Sequence, residues 1–171
     1  LADRDGWSRI WESRMREPLW QCPARLRGPR QSASAAIPEA AELGLSEGRR
    51  QPDLRGGESE AHRILESFIE SRGHRYHREM SSPNTAFKSC SRLSPYFAWG
   101  CLSVRTAVQS VRAANGSHMP KGAARSFLSR CHWHCHFMQK LESEPGIEFR
   151  AFNRACDDLL LGQTNQGYLE A

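Results

Sequence analysis

Residues 123–142, AARSFLSRCHWHCHFMQKLE, form the longest periodic stretch of the chain. Small and apolar side chains recur in it at the three- and four-residue spacing of one helical face, and no proline or glycine interrupts it. The stretch therefore predicts one long amphipathic helix, which Pro145 and Gly146 end. The predicted apolar face consists of Ala124, Phe127, Leu128, Cys131, Cys135, Met138 and Leu141.

Two shorter helices are predicted upstream of this one. In residues 91–100, SRLSPYFAWG, Ser94 can cap a helix and Pro95 suits its first position. The next helix is predicted to start at Ser103, to carry a stripe of alanine and valine, and to end at Asn115 and Gly116.

A further helix is predicted over residues 58–73, with glutamates in its first turn and Gly73 as its stop. The polar residues 74–90 are predicted to be a connection, because Pro83 and Asn84 interrupt any helix. No repeat and no strand pattern is present, so the predicted fold class is all-α. A last helix is predicted to begin near Glu148 and to carry Phe149, Phe152, Cys156, Leu159 and Leu160.

The N-terminal third of the sequence has a different character. Residues 1–17 predict a short amphipathic helix, but nothing obvious in the chain supplies a partner for its apolar stripe. Residues 18–57 are rich in Pro, Gly, Arg, Ser and Ala and predict a poorly ordered, loop-rich linker. The packed region is therefore expected within residues 58–171. The stripe of the N-terminal helix comprises Trp7, Ile10, Trp11 and Met15.

Several classes of protein are excluded by composition. The six cysteines among 171 residues are spaced too irregularly for a small secreted disulfide scaffold, and reduced thiols are expected. No apolar run approaches the roughly 20 residues that cross a membrane, and no secretory signal pattern is present. We expect a soluble cytoplasmic protein without a membrane partner, and both ends of the sequence resemble cuts in a longer chain.

Positive charge is concentrated in one segment, although the net charge is only +5. No Asp or Glu lies between Met80 and Lys140. The cations either face an anionic partner such as nucleic acid, or they cover helix surfaces and pair with the acidic residues on either side. They are Lys88, Arg92, Arg105, Arg112, Lys121, Arg125, Arg130 and Lys140.

Three small constellations could carry chemistry. Residues 91–95, SRLSP, offer hydroxyls, a guanidinium and a helix start to a phosphate, although the same residue types also begin helices that bind nothing. Residues 131–136, CHWHCH, contain two i, i+4 pairs of metal-ligand type, but these pairs lie on different faces and Cys131 belongs to the apolar stripe. No metal site is therefore predicted. Trp133 beside cations suits stacking on a base or a flavin, and exposure and burial both stay open for it.

The order of three blocks resembles the FAD-binding domain of the photolyase/cryptochrome family. The blocks are GGESEAHRILESFI at residues 56–69, CSRLSPYFAWGCLSVR at residues 90–105 and SFLSRCHWHCHFMQKLE at residues 126–142. The resemblance covers roughly residues 1–160 and favours a bacterial-type branch. It implies that residues 58–171 are the N-terminal half of the helical FAD-binding domain, without the antenna domain and without the second half of the flavin pocket.

The resemblance also implies roles for single residues. Arg130 stands where many family members have glutamate, His134 where they have arginine, and Cys90 where threonine is usual. Arg130 and Trp133 match DNA-binding positions, and Trp133 matches the tryptophan that packs on the flipped-out dimer. No catalytic residue is expected in this half of the domain. The positions that match FAD contacts are Tyr76, Cys90, Ser91, Arg92, Leu93, Ser94, Phe127 and His134.

The function implied by the resemblance is light-driven repair of pyrimidine dimers by a monomeric flavoprotein. The intact protein would be a carbon–carbon lyase that binds FAD and DNA containing pyrimidine dimers, and the truncated chain is expected to be inactive alone. Two alternatives stay open. One is a cryptochrome-like blue-light sensor without repair activity, which the Arg130 and His134 departures favour. The other is an inactive helical nucleic-acid-binding fragment.

Overall fold

The computed structural model describes residues 4–25, 27–28, 35–39, 41–44 and 54–156. Within these ranges the chain is helical and has no strand, apart from one isolated bridge between Asn115 and Met119. The all-α fold class is therefore confirmed. The helices are α1 (Arg4–Arg16), α2 (Glu58–Glu70), α3 (Tyr76–Glu79), α4 (Pro83–Ser89), α5 (Ser94–Ala98), α6 (Val104–Ala114) and α7 (Lys121–Ser143), with 3₁₀ turns at Arg72–Arg75 and Pro145–Glu148.

The core forms where α2, α6 and α7 bring their apolar stripes together. Phe68 of α2 is fully buried, and its ring centroid lies 5.1 Å from that of Phe127 on α7. Val108 and Val111 of α6 are also fully buried. These positions recur at helical spacing, so the periodicity of the sequence correctly identified the three main helices. The Oγ of Ser103 accepts a hydrogen bond of 3.0 Å from the Thr106 amide, which confirms the predicted start of α6.

The apolar stripe of α1 does have a partner within the chain, contrary to what the sequence indicated. Trp7 and Trp11 are both more than nine-tenths buried. Their rings approach His132 of α7 edge-on, with centroid separations of 4.3 and 5.0 Å. Ile10, which was assigned to the same stripe, is 62% exposed. The buried face of α1 is thus built mainly from its two indoles.

Polar side chains of α6 also stabilise the position of α1, through ion pairs and a hydrogen bond. Arg112 lies 2.6 Å from the carboxylate of Glu12, and Arg105 lies 2.9 Å from that of Glu17. Between them, the amide of Gln109 donates to the backbone carbonyl of Glu17 at 2.7 Å. These contacts could not be predicted from apolar periodicity, because they join charged and polar surfaces.

The polar residues 74–90 are not a plain connection, and that prediction was wrong. They contain α3 and α4. Pro83 occupies the first position of α4, where its missing N–H group costs nothing, so it starts a helix instead of interrupting one. The reversal after α2 depends on Gly73, because a Cβ atom there would lie 2.5 Å from the carbonyl oxygen of Phe68. The chain can therefore turn back directly beneath the end of α2.

The remaining segments carry little regular structure in their described parts. Of residues 18–57, the described ones contain no helix, and Trp20 and Ile37 are almost fully exposed. The prediction of an α-helix from Glu148 is wrong for the described residues, which end at Cys156. Residues 149–153 are irregular and residues 154–156 form a 3₁₀ turn. Leu159 and Leu160 lie outside the described residues. All six cysteines are free thiols. No described helix combines the length and the apolar character needed to cross a membrane.

Candidate functional site

Several predicted site residues share one face of α7. Phe127, Arg130 and His134 follow one another at three- and four-residue spacing, so they lie along the same side of the helix. Tyr76 begins α3, which packs on this helix. Residues 90–94, called the 90–94 turn below, connect α4 to α5. The three blocks of the resemblance therefore fold into neighbouring elements.

Tyr76 and Phe127 are core residues. Both are more than nine-tenths buried, and their ring centroids are 6.3 Å apart. Phe68 packs against the ring of Tyr76 at 5.4 Å and a right angle. Burial raises the pKa of Tyr76 to about 12; the neighbouring Cys90 thiol adds to this shift and Arg130 opposes it. Cys90 and Arg130 thus both influence the ionisation of Tyr76.

The 90–94 turn has an uncommon backbone. Arg92 has a φ of 59°, a left-handed conformation that few non-glycine residues adopt, while Leu93 is right-handed and fully buried. The buried side chain of Leu93 anchors the turn in the core. Leu93, rather than the predicted Ser94, occupies the cap position of α5, and Ser94 is the exposed first residue of that helix.

The side chains of the turn point in different directions. The guanidinium of Arg92 covers the ring of Phe87 at 4.0 Å, and its Nε donates to the Phe87 carbonyl at 3.0 Å. The hydroxyl of Ser91 accepts a long hydrogen bond of 3.5 Å from the Leu93 amide. The thiol of Cys90 contacts the Met80 carbonyl at 4.0 Å. The exposed part of the turn therefore presents its backbone and a serine hydroxyl.

Arg72, a residue that sequence inspection missed, holds this turn through hydrogen bonds to its backbone. The guanidinium of Arg72 donates to the carbonyl oxygens of Cys90 and Ser91, at 2.6 and 3.3 Å. Burial lowers the pKa of Arg72, and the positive charges of Arg92 and Arg63 lower it further. The only sequence signal was an arginine before the Gly73 reversal, which is too common a combination to indicate such a role.

The middle of α7 exposes the two residues assigned to DNA, Arg130 and Trp133, and also His134, which was assigned to FAD. Arg130 and His134 are exposed, and Trp133 is 42% exposed, which settles the open question of its burial. The indole of Trp133 stacks on Phe137 with ring centroids 5.8 Å apart. The ring of His134 lies 5.9 Å from that of Phe97 on α5. His134 thus contacts α5, and Trp133 and Phe137 form an exposed aromatic pair on the same helix.

The interpretation that the clustered cations pair with acidic residues on either side is correct for three of them. Arg112 pairs with Glu12 of α1, Arg105 pairs with Glu17 just after that helix, and Lys140 lies 3.6 Å from Glu144. The other cations have no carboxylate partner among the described residues. Two of them, Lys121 and Arg125, line a groove of about 420 Å³. The cations without such a partner are Lys88, Arg92, Lys121, Arg125 and Arg130.

Two further features of the described residues bear on this site: the arrangement of potential metal ligands and a second groove. Among the described residues, no group of three or more His, Cys, Asp or Glu side chains has an arrangement that could hold a metal ion. A shallow groove of about 600 Å³ lies along α1 and His132, and it includes none of the predicted cofactor contacts. What the 90–94 turn offers a ligand is its backbone and hydroxyl groups.

Neither a protein-family model nor a curated protein matches this chain. Its function therefore has to be argued from the order of the sequence blocks and from the contacts described above. Those contacts provide neutral donors and positive charge at the 90–94 turn, and aromatic rings with positive charge on α7. Such groups bind anions and planar rings, and among the described residues they include no paired carboxylates of the kind that work as general acid and base.

Proposed function

We propose that this chain is part of a deoxyribodipyrimidine photolyase-like flavoprotein that binds FAD and DNA. The observation that supports this most is that separate stretches of the resemblance meet in the fold: the ring of Tyr76 lies 6.3 Å from that of Phe127, and the ring of His134 lies 5.9 Å from that of Phe97, three residues after Ser94. A chance likeness of short motifs would not be expected to bring them together.

In this proposal, the 90–94 turn binds the phosphates of FAD, and α7 carries the flavin and DNA contacts. FAD would supply the photochemistry in the intact protein, by electron donation from its light-excited reduced form. The residues of this chain would hold the phosphates through the turn and would present Trp133 and Arg130 to a base displaced from the duplex. Tyr76 and Phe127 would support the pocket from within the core, where they are packed.

Flavin binding is the property to test first. We expect titration of the purified chain with FAD to quench the flavin fluorescence, a measurement that detects weak as well as tight binding. Ser94→Ala should weaken FAD binding several-fold, because a hydroxyl bond to a phosphate is worth about 1 kcal/mol or more. Ser129→Ala is the matched control, since Ser129 is an exposed serine of α7. Absence of bound flavin at saturating FAD, in a folded chain, would contradict the proposed cofactor function of this chain.

A helical nucleic-acid binder without flavin is a second candidate. The observation that favours it is the set of exposed cations without a carboxylate partner, among which Lys121 and Arg125 share one groove. Salt-dependent DNA binding by a chain that binds no FAD would select this candidate. Bound FAD together with no preference for damaged DNA would instead select a light sensor of cryptochrome type.

A further inference from the structure

Arg72 makes an unusual set of contacts beneath the 90–94 turn. Its Nη1 donates to the Cys90 carbonyl at 2.6 Å, and its Nη2 donates to the carbonyls of Ser91 at 3.3 Å and Ile64 at 3.0 Å. Its Nε donates to the hydroxyl of Ser67 at 2.9 Å. One guanidinium therefore joins α2 to two successive carbonyls of the turn.

The planarity of the peptide bond gives these contacts a consequence for the opposite side of the turn. In a trans peptide the carbonyl of one residue and the N–H of the next point in opposite directions, and the described chain has no cis peptide. Because the carbonyls of Cys90 and Ser91 face Arg72, the amides of Ser91 and Arg92 face away from it. Among the described residues neither amide has a backbone acceptor.

The backbone conformation after these amides also favours the binding of an anion. Arg92 is left-handed and Leu93 right-handed, and this alternation turns the N–H groups from Arg92 onward toward one concave side, where the Leu93 amide already donates to the Ser91 hydroxyl. Arg72 also brings a charge that no carboxylate among the described residues neutralises. A guanidinium keeps its proton under all ordinary conditions, so this charge is permanent.

We propose that Arg72 is the positioning residue of the 90–94 turn, which it holds with two carbonyls inward so that the amides of Ser91 and Arg92 face an anion. The identity of that anion, a phosphate of FAD, rests on the proposed function. The positioning itself does not, because it is a property of the chain without ligand. Arg72 acts through the turn and need not touch the ligand.

The test uses Arg72→Lys, which keeps the charge but loses the planar fork that reaches two carbonyls at once. The ¹³C carbonyl shifts of Cys90 and Ser91 in the ligand-free protein report the hydrogen bonds directly. We expect both shifts to change in this variant and the affinity for inorganic pyrophosphate to fall about tenfold. Arg63→Lys is the control, because Arg63 pairs with Glu60 and does not contact the turn.

The outcomes separate this inference from the proposed function. Unchanged carbonyl shifts in Arg72→Lys would overturn the positioning role, and so would an unchanged affinity in a protein whose wild type binds pyrophosphate. A wild type that binds neither FAD nor pyrophosphate would overturn the proposed cofactor function, and the carbonyl shifts would still decide the role of Arg72. If Arg72→Lys does not fold, Ser67→Ala removes one anchor of the same guanidinium and should move both carbonyl shifts in the same direction.

Discussion

Two buried titratable residues, Tyr76 and Cys131, connect the site to the stability of the chain. Burial raises the pKa of each to about 12, and the nearby Cys135 thiol contributes to the shift at Cys131. Both groups are neutral in the core, and ionising either of them would place an unpaired negative charge among apolar side chains. At neutral pH they therefore act as packing groups.

These shifts predict that the chain loses stability in alkali. A group whose pKa is higher in the folded state keeps its proton where the unfolded chain has lost it, so the free energy of unfolding falls as pH rises above the unfolded pKa. The loss should begin near pH 9 for Cys131 and near pH 10 for Tyr76, and continue to about pH 12. Each proton contributes about 1.4 kcal/mol per pH unit.

Urea denaturation between pH 8 and 11 measures this loss. Cys131→Ala should remove the onset near pH 9 and leave the part that Tyr76 causes. Cys22→Ala is the matched control, because Cys22 is an exposed thiol, and it should keep the wild-type profile. A flat profile in the wild type up to pH 11 would show that neither group is buried in solution as described.

Residue types alone indicated some of the candidate site and left other parts undetermined. The serines and the arginine at positions 91–94 indicated a turn that precedes a helix, and the structure has one. The burial of Tyr76 could not be predicted, because it depends on the ring of Phe127, which is distant in sequence, as well as on that of Phe68. Arg72 was missed for a similar reason, since its acceptors on the turn lie 18 and 19 positions further along the chain.

At the scale of elements, helix α1 shows how a short helix is held by two different surfaces. Its indoles contact His132 of α7, and Glu12, together with Glu17 just after the helix, pairs with arginines of α6. An isolated helix of 13 residues is marginal in water, so tertiary contacts must supply most of its stability. The buried indoles contribute more than the ion pairs, because those pairs are partly exposed and screened by solvent.

The docking of α1 predicts a large effect for one substitution. Trp11→Ala should lower the free energy of unfolding by about 3–5 kcal/mol, since it empties a buried site the size of an indole. Ile10→Ala is the control, because Ile10 is adjacent in sequence but mostly exposed, and it should change stability by no more than about 0.5 kcal/mol. Urea denaturation followed by far-UV circular dichroism measures both. Equal effects of the two substitutions would mean that α1 does not dock through its indoles.

Long elements were predictable from periodicity, and short ones were not. The helices α2, α6 and α7 repeat their apolar positions over three turns or more, which is enough to define a face. The helices α3 and α4 have four and seven residues, so packing against α7 and the 3₁₀ turn decides their conformation. The partner of α1 was hidden because α6 meets it with Arg105, Gln109 and Arg112, whose polarity suggested a solvent-facing surface.

For the whole molecule, the distribution of charge matters more than its net value of +5. Glu17 and Glu12 neutralise Arg105 and Arg112 within the fold. The cations near the start of α7 and Arg130 have no carboxylate partner among the described residues, so their charges can attract an anionic partner. A phosphate backbone binding there would release counterions, so its affinity would depend steeply on salt.

The last prediction follows from this division between paired and unpaired cations. Arg125→Gln should weaken DNA binding and reduce the slope of log K against log salt concentration by ~0.9, the value for one lost phosphate contact on duplex DNA. Arg14→Gln should leave the slope unchanged, because Arg14 already pairs with Glu17 at 3.1 Å. Fluorescence anisotropy with a labelled duplex at several salt concentrations measures both slopes. If both variants reduced the slope equally, the binding would report the net charge of the chain rather than the groove of Lys121 and Arg125, and the choice of α7 as the nucleic-acid surface would fail.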